Sequence, residues 1–401
     1  MTTNDVGLQA VAALYEVLMV DAEWSVSTPR GFTWWSYRFA QHIEAGPGAD
    51  VNGRESSHLR IWTDVVRDVD PRRDPASLVA AANTQQALST LVWDESRGTI
   101  AEFSTLQVDA DNIDWVRKVL PVAAVIQITS AHSRASDLAQ AVGGQPTTSP
   151  HPTNGWRPSP DEILTGPMHG IVQEGRSASK FVGTRTTALQ DYVQQMGLVG
   201  FADSAEFSCE LPFIGNTPVA LCMDENEPVE TSLLQLFTDI EHPGYGRGAL
   251  LTLALPLKFT THDVAHVANS LNAAETRAAD AARSPFGCLL GSWCVDPTHR
   301  EADRVAFTAF VPNILGMDYM LEHIVFWQRT RSRFAAEYLG LGESPNRFAH
   351  APAQAAVDMA IRLTMDAARR LSKHPTELQS APWFSKVGQW APTWKPNHAS
   401  R

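Results

Sequence analysis

The sequence predicts an α+β fold of two repeated units, each a twisted antiparallel sheet packed with helices. The units form an intramolecular pseudo-dimer, followed by a C-terminal helix and a Trp-rich tail. Three observations carry this expectation. The heptapeptide LRIWTDV at residues 59–65 returns as LQLFTDI at 234–240. After each copy the chain reads helix, strand, strand, helix in the same order. A Pro-, Gly- and Ser-rich stretch at 143–170 separates the two runs and lacks both helical and strand periodicity. The expected division is a first unit at 1–142, a linker at 143–186, a second unit at 187–342, and a C-terminal helix with an aromatic tail at 343–401.

The elements follow in order. Leu8, Val11, Leu14, Tyr15 and Leu18 recur at helical spacing and predict a first helix over 8–24. FTWWSYRFAQHIEA (32–45) reads as a strand with Trp35, Tyr37, Phe39 and Ile43 on one face and Ser36, Arg38 and His42 on the other. In LRIWTDVV, Leu59, Ile61 and Val65 face one way, and Arg60, Trp62 and Asp64 the other. A short helix follows, with Asp74 as N-cap and Pro75 just inside. TLVWDESRGTIAEFSTLQVD (90–109) is a hairpin turning near Gly98. A long helix opens at Asp111 or Asn112 and carries Pro121 as a candidate kink. The second unit repeats the pattern: a helix at 186–200, strands at 205–213 and 218–224, a hairpin around Gly244–Gly248, a helix at 261–279, a second hairpin at 286–312 and a helix at 317–339. The helices after the repeated strand echo each other, aligning Asn83 with Asn269, and Trp93 and Trp293 follow in the next strand of each half. Past 342, Val357, Ile361, Thr364, Ala368 and Leu371 form a helical stripe.

Composition narrows the function classes. With 44% hydrophobic and 19% charged residues, the chain of 401 residues can bury a sizeable core. A formal charge of −12 speaks against a general nucleic-acid binder, which needs clustered cations on phosphates. No run of about 18 apolar residues is present, so no membrane insertion is expected. The first residues lack a cationic leader and carry Asp5, Glu16 and Asp21, which leads to the expectation of a cytoplasmic protein. Cys209, Cys222, Cys288 and Cys294 all lie in apolar runs, as reduced buried thiols do.

Chemistry is scarce. His262 and His266 lie four apart on a predicted helix, a spacing that suits two metal ligands, but no third ligand accompanies them and a solvated or capping role fits better. The four cysteines lack the close pairing of thiolate sites. HPGYGRGAL (242–250) is Gly-rich yet leads into a strand, so it reads as a hairpin turn and not as a phosphate cradle. Arg329, Arg331 and Arg333 read as a solvated basic helix face. No catalytic residue, cofactor or metal site is assigned.

The pattern of a helix ending AAANTQQA or ANSLNAAE, then a hairpin, then a long helix, resembles the type III secretion chaperone and YbjN-like superfamily. ALSTLVWDESRGTIAEFSTLQVDADNIDWVRKVLPVA is the closest stretch, with NSLNAAE through VAFTAFVP second. The resemblance covers about two-thirds of the chain. It implies a sheet backed by helices, no defining catalytic residues, and a role in holding a client polypeptide, often as a dimer. Here both units stand in one chain.

The functional expectation is therefore a non-enzymatic, protein-binding adaptor or chaperone-like factor, a monomer with an internal pseudo-dimer or a homodimer. The expected protein-binding residues are Trp62 and Phe237, with Asp64 and Asp239 beside them on the outer strand face, and Trp383, Trp390 and Trp394 of the tail. The rival reading is a ligand sensor or enzyme with a small-molecule site between the units, using His262, His266 or Arg247.

Overall fold

The structure is a computed structural model. It describes residues 5–51, 54–195, 198, 200–213, 231–278, 288–299, 303–317 and 320–340. The strand at 218–224, Cys222, the helix stripe at 357–371, and Trp383, Trp390 and Trp394 lie outside the described residues.

The first unit runs α1 (Val6–Val17), β1 (Ser25–Thr28), β2 (Gly31–Trp35), β3 (Ala40–Ala45), β4 (Ala49–Val51), β5 (Arg54–Arg67), α2 (Pro75–Asn83), β6 (Thr90–Asp94), β7 (Thr99–Asp109) and α3 (Ile113–Val142). A connecting segment holds β8 (Gln145–Pro146) and α4 (Gly166–Gly175). The second unit runs α5 (Thr184–Gln195), β9 (Gly200–Ala202), β10 (Glu206–Pro212), β11 (Thr231–His242), β12 (Gly246–Lys258), α6 (Thr261–Ala278), β13 (Cys288–Leu289), β14 (Ser292–Val295), β15 (Arg304–Pro312) and α7 (Met320–Tyr338).

Two antiparallel sheets result. One orders β1-β2-β3-β5-β7 with β6 also on β7, and the other orders β9-β10-β11-β12-β15-β14. Apart from the short β4 and β13, each unit thus reads helix, three strands, a long strand, crossover helix, hairpin, helix. The fold is a duplicated α+β unit. Helices α1 and α3 pack on one face of the first sheet, α5 and α7 on the equivalent face of the second. The apolar side of each strand lies beneath them: Leu59, Ile61 and Leu106 in the first unit, Leu234, Leu236, Leu253 and Phe307 in the second, all at most 1% exposed.

The heptapeptide echo is not the repeat. LRIWTDV lies on β5, fourth in its sheet, whereas LQLFTDI lies on β11, third in its sheet. The counterpart of β5 is β12. Cross-strand registers place Val26, Thr33, His42, Trp62, Phe103 and Thr90 in one row, and Phe201, Ser208, Gln235, Thr252, Thr308 and Ser292 in the matching row. Trp62 therefore matches Thr252, and Phe237 matches Glu44. The two heptapeptides look alike for a local reason. In each, the Thr is buried and the pairing register shifts at or just after the Thr-Asp step, between Asp64 and Val66 in β5 and between Phe237 and Ile240 in β11, and the Asp meets an arginine from the following strand or a nearby turn. A bulge of this kind sets the same residue demands wherever it occurs.

Three other expectations change. The first helix stops at Val17, and residues 22–24 form a separate 3-10 turn. The single strand expected over 32–45 is the β2–β3 hairpin, because the carbonyls of Ser36 and Arg38 turn away to accept from the Asp161 and Ser149 amides of the connecting segment. That segment is docked, with a helix of its own. Arg157 bridges Asp21 and Asp161 at 2.7 Å each, and the Trp35 indole donates to Ser149. The capping of α2 is as expected, with Asp74 accepting from the Ser77 amide.

The units interlock. Helices α2 and α6 pack together, and each also packs on the other unit's hairpin strand, α2 on β14 and α6 on β6. Strand β13 leaves its own unit and pairs with β7, Cys288 opposite Leu106. Asparagines close the edges. Asn83 accepts from the Leu91 amide and donates to its carbonyl, and Asn272 does the same for Trp293. Asn269, which the sequence aligns with Asn83, instead clamps Trp93 of the other unit, at 2.9 and 3.0 Å. One apolar cluster runs through both units.

Candidate protein-binding surface

Among the described residues helices cover one face of each sheet, and the opposite face is only partly covered. In the first sheet, the Trp35 end of that face lies under the connecting segment, where His151 meets Trp35 and Trp24 edge-on. Next to it Trp62 is half-buried, its ring stacked on His42 at 4.7 Å, with the Arg60 guanidinium 4.6 Å from the ring centroid. The His42 Nδ1 pairs with the Thr33 hydroxyl at 2.9 Å. Alternation produces this group, since β3 and β5 bury Ile43 and Ile61 and so turn His42 and Trp62 outward. Burial holds the His42 imidazole below its ordinary pKa; the Asp64 carboxylate works against that shift. Asp64 and Arg97 lie 3.4 Å apart at the margin.

The equivalent face of the second sheet carries Phe237, which is half-buried and packed against the shared core. Asp239 lies beside it, and Arg247 Nη1 reaches both carboxylate oxygens at 2.6 and 2.7 Å. This hydrogen bonding raises the Arg247 pKa. Trp62 with Asp64 and Phe237 with Asp239 belong to different sheets and do not form a carboxylate pair. The exposed apolar side chains of the second face are Phe201, 62% exposed, and Leu233, 38% exposed, with Glu206 and Glu210 between them on β10. Sequence reading missed Phe201 because β9 is only three residues long, too short to show alternation. Alternation over 32–45 turns His42 outward, but its position beside Trp62 depends on the β3–β5 register.

The remaining candidates are placed as follows. His266 Nε2 lies 3.6 Å from Asp74 across the α2–α6 contact. Among the described residues no group of three His, Cys, Asp or Glu side chains is placed to hold a metal ion. Cys209, Cys288 and Cys294 are free and buried, and burial pushes their thiols up to about 12. Gly246, with φ of 72°, turns the 242–250 loop, and Gly175 packs so close that a Cβ there would lie 2.0 Å from the Tyr245 carbonyl oxygen. Of the expected basic helix face, Arg331 is buried: it holds Glu275 at 3.0–3.2 Å, lies over the Phe307 ring and donates to the Cys288 carbonyl. The Trp293 indole donates to the same Glu275 at 2.6 Å.

A buried polar group sits at the junction of the units. Glu102 on β7 is fully buried; Oε1 accepts from Ser89 at 2.6 Å, and the Ser130 hydroxyl also acts on the carboxyl. Burial pushes this carboxyl up to about 7, against the opposing effects of the Ser89 bond, the Arg134 charge and the Ser130 hydroxyl. Arg134 and His242, from opposite units, share the Gln85 carbonyl at 3.4 and 3.1 Å. Burial takes His242 down to about 4. Alternation in TIAEFST points Glu102 inward with Ile100 and Ser104, a signal present in the sequence.

Among the described residues no helix is long and apolar enough to cross a membrane. No family model matches the chain, and no curated protein or solved structure is similar to it.

Proposed function

We propose that the protein is a non-enzymatic adaptor or chaperone-like factor that holds a segment of another protein on the open faces of its sheets, as the resemblance to type III secretion chaperones and YbjN-like proteins implies. The observation that supports this most is the Trp62 group. A large aromatic, pre-stacked between an imidazole and a guanidinium and lying outside the packed core, presents area at little further cost in side-chain entropy. The interlocked junction makes the two faces parts of one rigid platform, which suits a long, shallow contact better than reaction chemistry.

The test is capture from the native host with tagged wild-type protein and the Trp62→Ser variant, identification by mass spectrometry, and titration of the purified candidate against both. The reading expects one stoichiometric protein whose affinity drops at least tenfold with Trp62→Ser while the thermal midpoint is kept. Equal affinity for both forms removes the Trp62 face from the proposal.

A second reading rests on Glu102. Its fully buried carboxyl, near Arg134 and His242 at the junction, supports a small polar ligand between the units. A ligand of that kind raises the thermal midpoint of wild type and leaves Glu102→Ala unmoved.

A further inference from the structure

The second sheet's open strip has a chemistry of its own. Strand β10 lies between β9 and β11, and its outward side chains are Glu206, Ser208 and Glu210. Phe201 flanks Ser208 on one side, and on the other Leu233 lies opposite Glu210 and Phe237 opposite Glu206. Glu210 is exposed, and Glu206 accepts only a bond of 3.3 Å from the Gln235 amide. Among the described residues neither glutamate is in an ion pair, and the nearby Arg247 is already held by Asp239. The strip is therefore anionic along its axis and flanked by Phe201, Leu233 and Phe237 with Gln235 opposite Ser208, and among the described residues no charged side chain pairs with either glutamate.

We propose that this strip binds an extended segment of a partner protein in which two basic side chains, four residues apart, bracket an apolar one. The inference rests on the protein-binding reading and names the partner's chemistry. Spacing selects the extended form. Glu206 and Glu210 are four residues apart on a strand, about 14 Å at ~3.4 Å per residue, whereas residues four apart on a helix lie only about 6 Å from each other. An extended chain running along β10 sets one base over each glutamate and drops the central apolar side chain over Ser208, against Phe201 on one side and the Gln235 stem on the other, with Leu233 at the next outward position along β11. Charge complementarity chooses a basic partner over an acidic one, and the apolar flanks supply the buried area.

The experiment uses the full chain and two fluorescein-labelled peptides, Gly-Lys-Thr-Leu-Thr-Lys-Gly and its Lys-to-Glu counterpart, followed by fluorescence anisotropy at low and moderate salt. The expected result is at least tenfold tighter binding of the basic peptide, weakening with salt. The paired change Glu206→Lys and Glu210→Lys should reverse the preference, with the acidic peptide now the tighter. Phe201→Ser should weaken the basic peptide without changing its preference over the acidic one. Glu210→Gln, which keeps size and strand propensity, serves where the double variant does not fold, and should lose several-fold. Equal binding of both peptides to wild type, no binding of the basic peptide, or an unchanged preference in the charge-reversed protein each overturns the assignment. Trp62→Ser separates the two ideas: a captured partner that still depends on Trp62 while the basic peptide fails removes this strip only, and failure of both removes the protein-binding reading.

Discussion

Asn269 of the second unit holds the backbone amide and carbonyl of Trp93 in the first, at 2.9 and 3.0 Å, in place of a neighbouring strand. Strand β6 ends its sheet on that side, so this single side chain satisfies edge groups that water does not reach. Asn269→Ala leaves two buried backbone groups unpaired, a loss of about 2–6 kcal/mol at ~1–3 kcal/mol per group. The amide of Trp93 should then exchange with deuterium at least tenfold faster. Asn272→Ala, which removes the equivalent clamp within one unit, should speed Trp293 and spare Trp93.

Glu102 makes stability depend on pH. Its carboxyl keeps a proton in the folded protein to about pH 7 and in the unfolded chain only to about 4.5. Between those values the folded state binds the extra proton, so stability falls as pH rises, by on the order of 3 kcal/mol in all. The contribution is fully present below the unfolded value and gone above the folded one. Glu102→Gln should flatten this slope in urea titrations and be the more stable protein at pH 8.

The His42 imidazole, shielded by Trp62, should titrate below its usual range when followed by proton NMR. Trp62→Ala admits water to the ring and should bring the midpoint back up toward 6.5. Wild-type stability should decline as pH falls through the window beneath that value, because the folded protein resists the proton that the unfolded chain accepts.

Arg331 and Glu275 form a buried pair with Trp293 and the Cys288 carbonyl as further partners. Removing one charge strands the other. Arg331→Met should lose about 3–5 kcal/mol, while the double change with Glu275→Leu should recover most of that loss in a thermal or denaturant melt.

The sequence disclosed the duplication through the order of elements, which follows from periodicity, caps and turns that residues carry locally. It pointed to the wrong pair of strands, because a seven-residue likeness records a bulge and its ion pair, and those recur wherever a long strand bends. The Asn83 and Asn269 alignment failed for a related reason. Both side chains clamp a strand, but which unit supplies that strand is decided by how α2 and α6 cross, and no local pattern encodes a crossing. Trp62 was legible as an outward aromatic from alternation alone. Its stack with His42 was not, since that depends on a register between β3 and β5 set by contacts far along the chain. Glu206 and Glu210 alternate in plain view in EFSCE, but only the pairing with β9 and β11 shows the apolar flanks on either side.

Strand β13 has a consequence for how the molecule is made. Residues 288–289 complete the hydrogen bonding of β7 at Thr105 and Leu106, yet they leave the ribosome long afterwards. At ~5–20 residues per second, translation needs about 10–40 s to cover that distance. Throughout this interval the nascent first half carries an open strand edge over Leu106, and a stop in synthesis anywhere before residue 288 leaves that edge unsealed.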